Sequence, residues 1–301
     1  MEITKIIPQG LCKGVISAIK KVNEAIENPN TKKPIHMLGP LIHNKNVVRA
    51  FLEKGVIIHM GKSRLELLDE ITDGTVIFTA HGVSDEVRAK AISKGLDIID
   101  ATCRDVSRNQ QIIKDKINDG YYIFFYGKEN HPETEGIFDS EHIIVVNENT
   151  DIDALPEISG KMVMTTQTTM SYSDVVPFYL LLKRKYPQLE LLEELCNATR
   201  KRQEAIINQA GNLDLLLVVG DPSSNNSKML MEIAKNKLGV NAIMLENVED
   251  LNHYDLSPYQ KIGITSGAST PTAIVEEIIQ QLQKQKKNFI SKLKNDDYLK
   301  Y

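Results

Sequence analysis

Residues 96–133 read LDIIDATCRDVSRNQQIIKDKINDGYYIFFYGKENHPE, and this stretch decides the fold. An apolar, strand-like run, LDIID, ends just before Cys103. A helix-like stretch follows, and a buried-looking strand, YYIFFY, then stops at Gly127 and enters a polar loop. The same order occurs twice more. EITKII precedes Cys12, and PIHML runs into GPLIHN from Gly39; LELLEEL precedes Cys196, and LDLLLVV runs into GDPSSNNS from Gly220. The three cysteines stand 91 and 93 residues apart, and the glycines lie 27, 24 and 24 residues beyond them. Near-constant spacing of this kind marks a long internal repeat.

Each repeat goes on in the same way. Helical stretches follow the polar loops, clearest in NKNVVRAFLEK and SKMLMEIAKNKL, and further strands follow as VIIHM, HIIVV and NAIML. A last strand then runs into another polar loop: TVIFTAHGVS, KMVMTTQTTMS and KIGITSGAST. Strands alternating with helices predict parallel sheets, with ligands held beyond the strands' C-terminal edges. The fold class is therefore α/β, with three similar parallel-sheet α/β domains at residues 1–100 (Cys12), 101–192 (Cys103) and 193–285 (Cys196). Residues 286–301 form a Lys-rich C-terminal tail, read as solvated or frayed. With the three sheets turned toward one axis, nine loops converge on a single centre.

Local signals fill in the ends. Ser84 and Ser171 are expected N-caps, Ser171 pairs with Asp174 in a capping arrangement, and Thr270 precedes Pro271 at a favoured first helical position. GVIIHMGKS, residues 55–63, has five residues between its glycines where a phosphate-binding P-loop needs four; Ser63 and Glu66 fit a capping box before RLELLDE instead. No GxGxxG is present, so a tightly held nicotinamide dinucleotide is not indicated.

Composition bounds the class. The 301 residues are 42% hydrophobic and 25% charged, the profile of a globular protein, and are enough for two or three domains. A net charge of −4 offers no broad basic field for nucleic acid or an anionic membrane. MEITKIIPQG has neither a basic n-region nor an apolar h-region, and no apolar run approaches the roughly 18 residues of a membrane span. The chain is expected to be cytoplasmic. There, an odd count of three cysteines argues against a disulfide framework. By count alone they would be ordinary buried thiols; their position sets them apart.

The first ring at the centre would be three thiols at helix N-termini, a setting that lowers a thiol's pKa and favours metal ligation. Three ligands leave a four-iron cluster with one open iron, able to act as a Lewis acid. Zinc is the competing metal, but the close C-x2-C pairs of zinc ribbons are absent. A second ring would hold His43, His131 and Ser224 with their neighbours Glu133, Asn225 and Asn226; a third would hold His81, Thr168 and Ser269. His36, His59, His142 and His253 lie outside the repeated loops and read as structural. So many hydroxyls, amides and imidazoles around one point suit a compact polyanion, a phosphate or diphosphate, held without an arginine clamp. Glu133, in a water-poor anionic site, would take up a proton readily and is the expected proton donor.

Taken together, GLCKGV, GPLIHN, TAHGVS, DATC, HPE, TQTT, CNAT, NNS and GAS resemble the 4-hydroxy-3-methylbut-2-enyl diphosphate reductase family, from Cys12 to about Pro271. The resemblance implies a pseudo-threefold trefoil around one 4Fe-4S cluster held by Cys12, Cys103 and Cys196, its open fourth iron facing the substrate hydroxyl. It implies that His43, His81, His131, Thr168, Ser224, Asn226 and Ser269 bind an allylic diphosphate, and that Glu133 delivers a proton toward the departing hydroxyl. Isopentenyl and dimethylallyl diphosphates would result, with electrons from an external ferredoxin or flavodoxin. One position departs from the family: Ser224-Asn225-Asn226 stands where Ser-Ser-Asn is usual. Asn225 can still donate a hydrogen bond. A quinolinate synthase-like dehydratase, a non-catalytic iron–sulfur redox sensor and a zinc-binding structural protein are the alternatives.

Overall fold

A computed structural model describes residues 1–137, 141–192, 196–284 and 290–301. Twelve strands in it form three four-stranded sheets, every pairing parallel. The first sheet takes β2 (Ile35–Leu38), β3 (Ile57–His59), β4 (Thr75–Phe78) and β5 (Asp97–Asp100) in the order β3-β2-β4-β5. The second takes β6 (Tyr121–Tyr126), β7 (Ile143–Val146), β8 (Lys161–Thr166) and β9 (Glu190–Leu191) in the order β7-β6-β8-β9. The third repeats that order with β11 (Asn241–Leu245), β10 (Leu215–Val219), β12 (Lys261–Ser266) and β1 (Glu2–Lys5).

The last strand is a difference from the sequence reading. β1 lies in residues 1–100 but pairs with β12, so the third sheet is completed by the start of the chain. Strand pattern alone does not name a strand's partner.

The central strands are apolar throughout because helices cover both faces, as parallel sheets require. All five residues of β10 are buried, as are Ile35–Leu38 of β2. The order within each sheet places a switch point between its two central strands, where a ligand crevice opens beyond the C-terminal ends. The His43 and His81 loops leave β2 and β4 on either side of that point in the first sheet. The His131–Glu133 and Thr168 loops do so from β6 and β8, and the Ser224–Asn226 and Ser269 loops from β10 and β12.

Each cysteine follows the fourth strand of one sheet and caps the helix that packs on the next. Cys12 caps α1 (Lys13–Glu27), whose Val15, Ala18, Ile19 and Val22, at helical spacing, bury against Ile35, Met37 and Ile77 of the first sheet. Cys103 caps α5 (Arg104–Asn118), with Ile113 against Ile123 and Phe125. Cys196 caps α8 (Asn197–Gln209), with Ile206 in a cluster with Leu216 and Val218. The cysteines thus stand at the three seams.

The remaining helices are α2 (Lys45–Glu53), α3 (Arg64–Asp69), α4 (Asp85–Ser93), α6 (Pro132–Glu135), α7 (Tyr172–Lys185), α9 (Asn225–Glu232) and α10 (Thr272–Gln283). Ser84 caps α4 through Val87 N, and the Ser63–Glu66 capping box opens α3, both as read. Ser171 differs: its hydroxyl meets Ser173 Oγ at 2.5 Å and caps nothing, and Asp174 donates its N–H to the Ser171 carbonyl in place of a reciprocal cap. Pro271 is the cap of α10 and not its first helical residue, so the helix starts one position later than read.

The tail is docked, not frayed, where it is described. Leu299 is buried beside Phe51, and Glu277 accepts from Ser291 Oγ (2.7 Å) and Lys292 N (2.6 Å). Leu293 and Tyr298 also pack against the core, Glu249 accepts from Ser291 N and Asp296 pairs with Lys54 at 3.0 Å, contacts that do not show in a Lys-rich composition. The end of LELLEEL, residues 193–195, and tail residues 285–289 lie outside the described residues. No helix among the described residues is long and apolar enough to cross a membrane.

Candidate active site

The three loop rings meet in one cavity of about 90 Å³, lined by Cys12, Cys103, Cys196, His43, His81, His131, Glu133, Thr168, Ser224, Asn225, Asn226 and Ser269. Every residue singled out in the repeated loops is therefore present. A much wider cleft, about 840 Å³ between the first and second units, contains none of them. Chemistry, not size, picks the site.

Glu133 is placed by local structure. His131 caps the short helix α6 by accepting from Glu133 N at 3.1 Å, and Pro132 fixes the first helical residue. The carboxyl, 4% exposed, is gripped across the second unit by Thr168: the Thr168 N–H donates to Oε2 and its hydroxyl to Oε1, both at 2.9 Å. These two bonds favour the ionised form, but burial is stronger and lifts the carboxyl pKa to about 7. Because Oε2 faces an N–H donor, an added proton belongs on Oε1. It then donates to Thr168 Oγ1, and the Thr168 hydroxyl turns its own proton outward.

Three imidazoles face this carboxyl's side of the pocket in a tight group. Ring centroids lie 4.6 Å apart for His43 and His81, 5.5 Å for His43 and His131, and 5.7 Å for His81 and His131. Burial, with a smaller push from the charge of Arg64, lowers all three pKa values, that of His131 to about 3; neighbouring imidazoles add to the shifts of His81 and His131, whereas Asp221 opposes that of His43. Neutral rings each carry one N–H donor and one acceptor. His131 Nδ1 already accepts, which leaves its proton on Nε2. His43 Nε2 and His81 Nδ1 are buried without a partner.

The third unit adds hydroxyls and amides. Ser224 Oγ accepts from Ser227 N and from Ser269 Oγ (3.3 Å), so its own proton has to be given elsewhere. Asn226 Oδ1 accepts from Ala268 N at 2.9 Å, which pins the GAS loop to the Ser224 loop. Asn225, the departure from the family pattern, turns its amide to the Thr169 carbonyl (3.2 Å) and hydroxyl (3.1 Å) of the second unit. Its Oδ1 is left buried and unpartnered, an acceptor where a serine would offer a donor.

The thiols correct one expectation. Burial pushes Cys103 up to about 11 and Cys196 to about 12, outweighing the backbone N–H groups of the helix starts, so the metal-free thiols are protonated. Loading a metal group must expel those protons. Gly14 shows how closely the sulfurs approach: a Cβ there would overlap Cys103 Sγ and lie 3.9 Å from Cys12 Sγ. Gly14→Ala is expected to leave the metal-free fold close to wild type, since a free thiol can rotate away. Iron and sulfide per chain should fall at least severalfold, because a ligating thiolate cannot; anaerobic iron and sulfide assay checks it.

Two arginines were not legible as site residues. Arg202 donates to Gly10 O (2.7 Å) and Ala198 O (3.0 Å), beside Cys12 and Cys196. Arg64 donates to Gly82 O (2.6 Å) and Pro132 O (3.0 Å), and neither arginine lines the cavity itself. Both bind loop carbonyls of another unit or a distant segment, and no local motif announces that. Among the described residues no three His, Cys, Asp or Glu side chains are grouped as one metal ion requires, so the mononuclear zinc reading finds no donor set.

Comparison with known proteins follows the same line. The family model for LytB protein matches residues 3–283. A 4-hydroxy-3-methylbut-2-enyl diphosphate reductase of an Exiguobacterium species is 42% identical, covering 99% of this chain and 92% of its own. That of Geobacillus thermodenitrificans is 43% identical, covering 94% and 90%. Among solved structures, the Plasmodium falciparum E-1-hydroxy-2-methyl-but-2-enyl-4-diphosphate reductase superposes with a TM-score of 0.87 at 30% identity, covering 99% and 96%. A second, (E)-4-hydroxy-3-methyl-but-2-enyl diphosphate reductase, the terminal enzyme of the non-mevalonate pathway, gives 0.65 at 28% identity, covering 94% and 100%.

Proposed function

Because this chain belongs to the LytB family, a reductase family of the non-mevalonate isoprenoid pathway, we propose that its central pocket removes the hydroxyl of 4-hydroxy-3-methylbut-2-enyl diphosphate with Glu133 as proton donor. The chain is a 4-hydroxy-3-methylbut-2-enyl diphosphate reductase, and the reaction consumes two electrons and two protons and releases water. The observation that carries the assignment of roles is the buried carboxyl of Glu133, bonded through both oxygens to Thr168 in the pocket that holds the three cysteines.

Cys12, Cys103 and Cys196 would hold an iron–sulfur cluster. The donor set fits: three thiols line one cavity, and Gly14 leaves open the space a side chain would take from their sulfurs. When bound, the cluster supplies electrons and an open iron that polarises the hydroxyl. Arg202, buried beside two of the thiols, offsets the negative charge that ligation creates.

The chain's own residues do the rest. The N–H groups of His43, His81 and His131, the hydroxyl of Ser224 and the amide of Asn226 present donors to the diphosphate oxygens; Ser269, whose one proton goes to Ser224 Oγ or the His43 carbonyl in the free chain, has to release it to join them. Asn225 acts on the substrate through its place in the wall, since its amide is spent on Thr169. The proton comes from Glu133 Oε1 by way of the Thr168 hydroxyl, which is bonded to that oxygen at 2.9 Å. An external ferredoxin or flavodoxin supplies the electrons, and the enzyme works in the cytoplasm.

Anaerobic iron and sulfide analysis with Mössbauer spectroscopy, with and without the substrate, tests this. A four-iron cluster with one iron that changes on adding the diphosphate supports it; a cluster indifferent to the diphosphate, or zinc without sulfide, overturns it. A second expectation concerns pH. The proton on Glu133 is present below its pKa of about 7 and absent above it, so kcat should decline as pH rises through neutrality, by about tenfold per unit on the alkaline limb. Steady-state rates between pH 6 and 9 check it.

A further inference from the structure

Arg64 opens α3 at the edge of the first unit and is 4% exposed, unusual for a guanidinium. One nitrogen, Nη1, donates to the carbonyls of Gly82 (2.6 Å) and Pro132 (3.0 Å); Nη2 lies 3.4 Å from Thr79 Oγ1. The Arg64 backbone N–H donates to Glu135 Oε1 at 2.8 Å, and its Nε stands 3.9 Å from the other oxygen of that carboxylate. Gly82 directly follows His81. Pro132 separates His131 from Glu133. One side chain of the first unit therefore holds both the first unit's His81 turn and the second unit's turn carrying His131 and the proton donor.

Taking a guanidinium out of water is costly, and two carbonyl dipoles plus a half-exposed carboxylate are modest return. An apolar side chain would fill the same space more cheaply if the seam needed only packing. Both bonds leave the single nitrogen Nη1, whose two N–H groups are fixed in the guanidinium plane, so the planar head sets the directions of two acceptors at once while Nη2 reaches Thr79. Those acceptors belong to two neighbouring turns of the pocket wall, whose His81 and His131 rings lie 5.7 Å apart.

We propose that Arg64 is a positioning residue for the reaction: by gripping Gly82 and Pro132 together it sets the distance between the imidazole of His81 and the carboxyl of Glu133. It does not touch the pocket and acts only through those two turns. This rests on the pocket being the substrate site.

Three variants of the full-length, cluster-loaded enzyme test it, each with cluster content and unfolding midpoint measured beside kcat and KM. Arg64→Met keeps the length but loses the fork. Its kcat should fall about a hundredfold, as expected for misplacement by about an ångström, with KM within about threefold and cluster content unchanged. Arg64→Lys can reach the carbonyls with a rotatable ammonium but lacks the planar head's fixed directions, and should recover much of that loss, ending about tenfold below wild type. Glu135→Gln keeps both carbonyl contacts and should be close to wild type. Wild-type kcat in Arg64→Met, or a loss matching the loss of folded or cluster-loaded protein, would overturn the proposal. If Arg64→Met does not fold, Arg64→Lys decides: wild-type kcat refutes a role for the fork, and reduced kcat with full cluster supports it. A wild-type enzyme that fails to turn over the diphosphate would instead sink the reading of the pocket, a distinguishable result that removes this proposal with it.

Discussion

Replacing Glu133 by Gln is expected to lower kcat about a thousandfold while substrate binding stays close to wild type. The amide keeps the shape of the carboxyl and can still accept from the Thr168 N–H, so the His131 turn should not move. It has no acidic proton to pass to Thr168, and the diphosphate is held by other groups. Anaerobic turnover with a chemical reductant, beside calorimetric binding of the diphosphate, checks both halves. Retained turnover would remove Glu133 from the mechanism.

The same variant makes a stability prediction whose sign follows from the raised pKa. A carboxyl that titrates at about 7 in the folded chain, against about 4.3 in model peptides, stabilises the fold while protonated. That contribution is fully present below the unfolded value and is lost as pH rises through about 7. At pH 8 the wild type bears the whole cost of a buried, ionised group, and Glu133→Gln does not. The metal-free variant should therefore be more stable at pH 8 by up to about 3 kcal/mol, with little difference at pH 4.5. Urea unfolding at the two pH values reads this directly.

Changing any one of Cys12, Cys103 or Cys196 to Ala is expected to abolish turnover and reduce iron and sulfide to a small fraction of wild type. The three sites are equivalent by fold: each cysteine ends the fourth strand of one sheet and starts the helix packed on the next. A ligand set spanning all three seams couples cluster binding to their closure. The loaded wild type should unfold at a clearly higher temperature than the metal-free wild type, and each variant should unfold close to the latter. Iron assay and thermal unfolding under nitrogen test it. A variant that kept a full cluster would remove that cysteine from the ligand set.

The fold was unusually legible because its signals are local and repeated. Apolar runs such as LDLLLVV can only be strands buried on both faces, and a strand, a cysteine and a helix in the same order three times fix where the loops lie. The candidate site followed from the loops, since every chosen residue sits at a strand's C-terminal end. What stayed hidden was non-local. EITKII reads as a strand but carries no mark of its partner, and the alignment of β1 with Lys261–Ile264 is a contact across nearly the whole chain. Arg64 reads as a helix start because its role depends on carbonyls 18 and 68 residues away. The thiol pKa values went the other way because helix position is written locally, whereas depth below the surface is not.

The pairing of β1 with β12 also governs the order in which the molecule can be completed. A nascent chain emerges from its N-terminus, so Cys12 is the first of the three cysteines synthesised, yet β1 before it has no neighbour until residues 261–264 have been made. The first and second sheets are assembled wholly from residues 35–191 and can close early; the third has to wait for the distant end of the chain. Late closure of a long-range parallel pair is slow by its loop entropy. A ribosome stalled before β12 would therefore display two finished sheets beside a third that lacks both β12 and the pairing of β1.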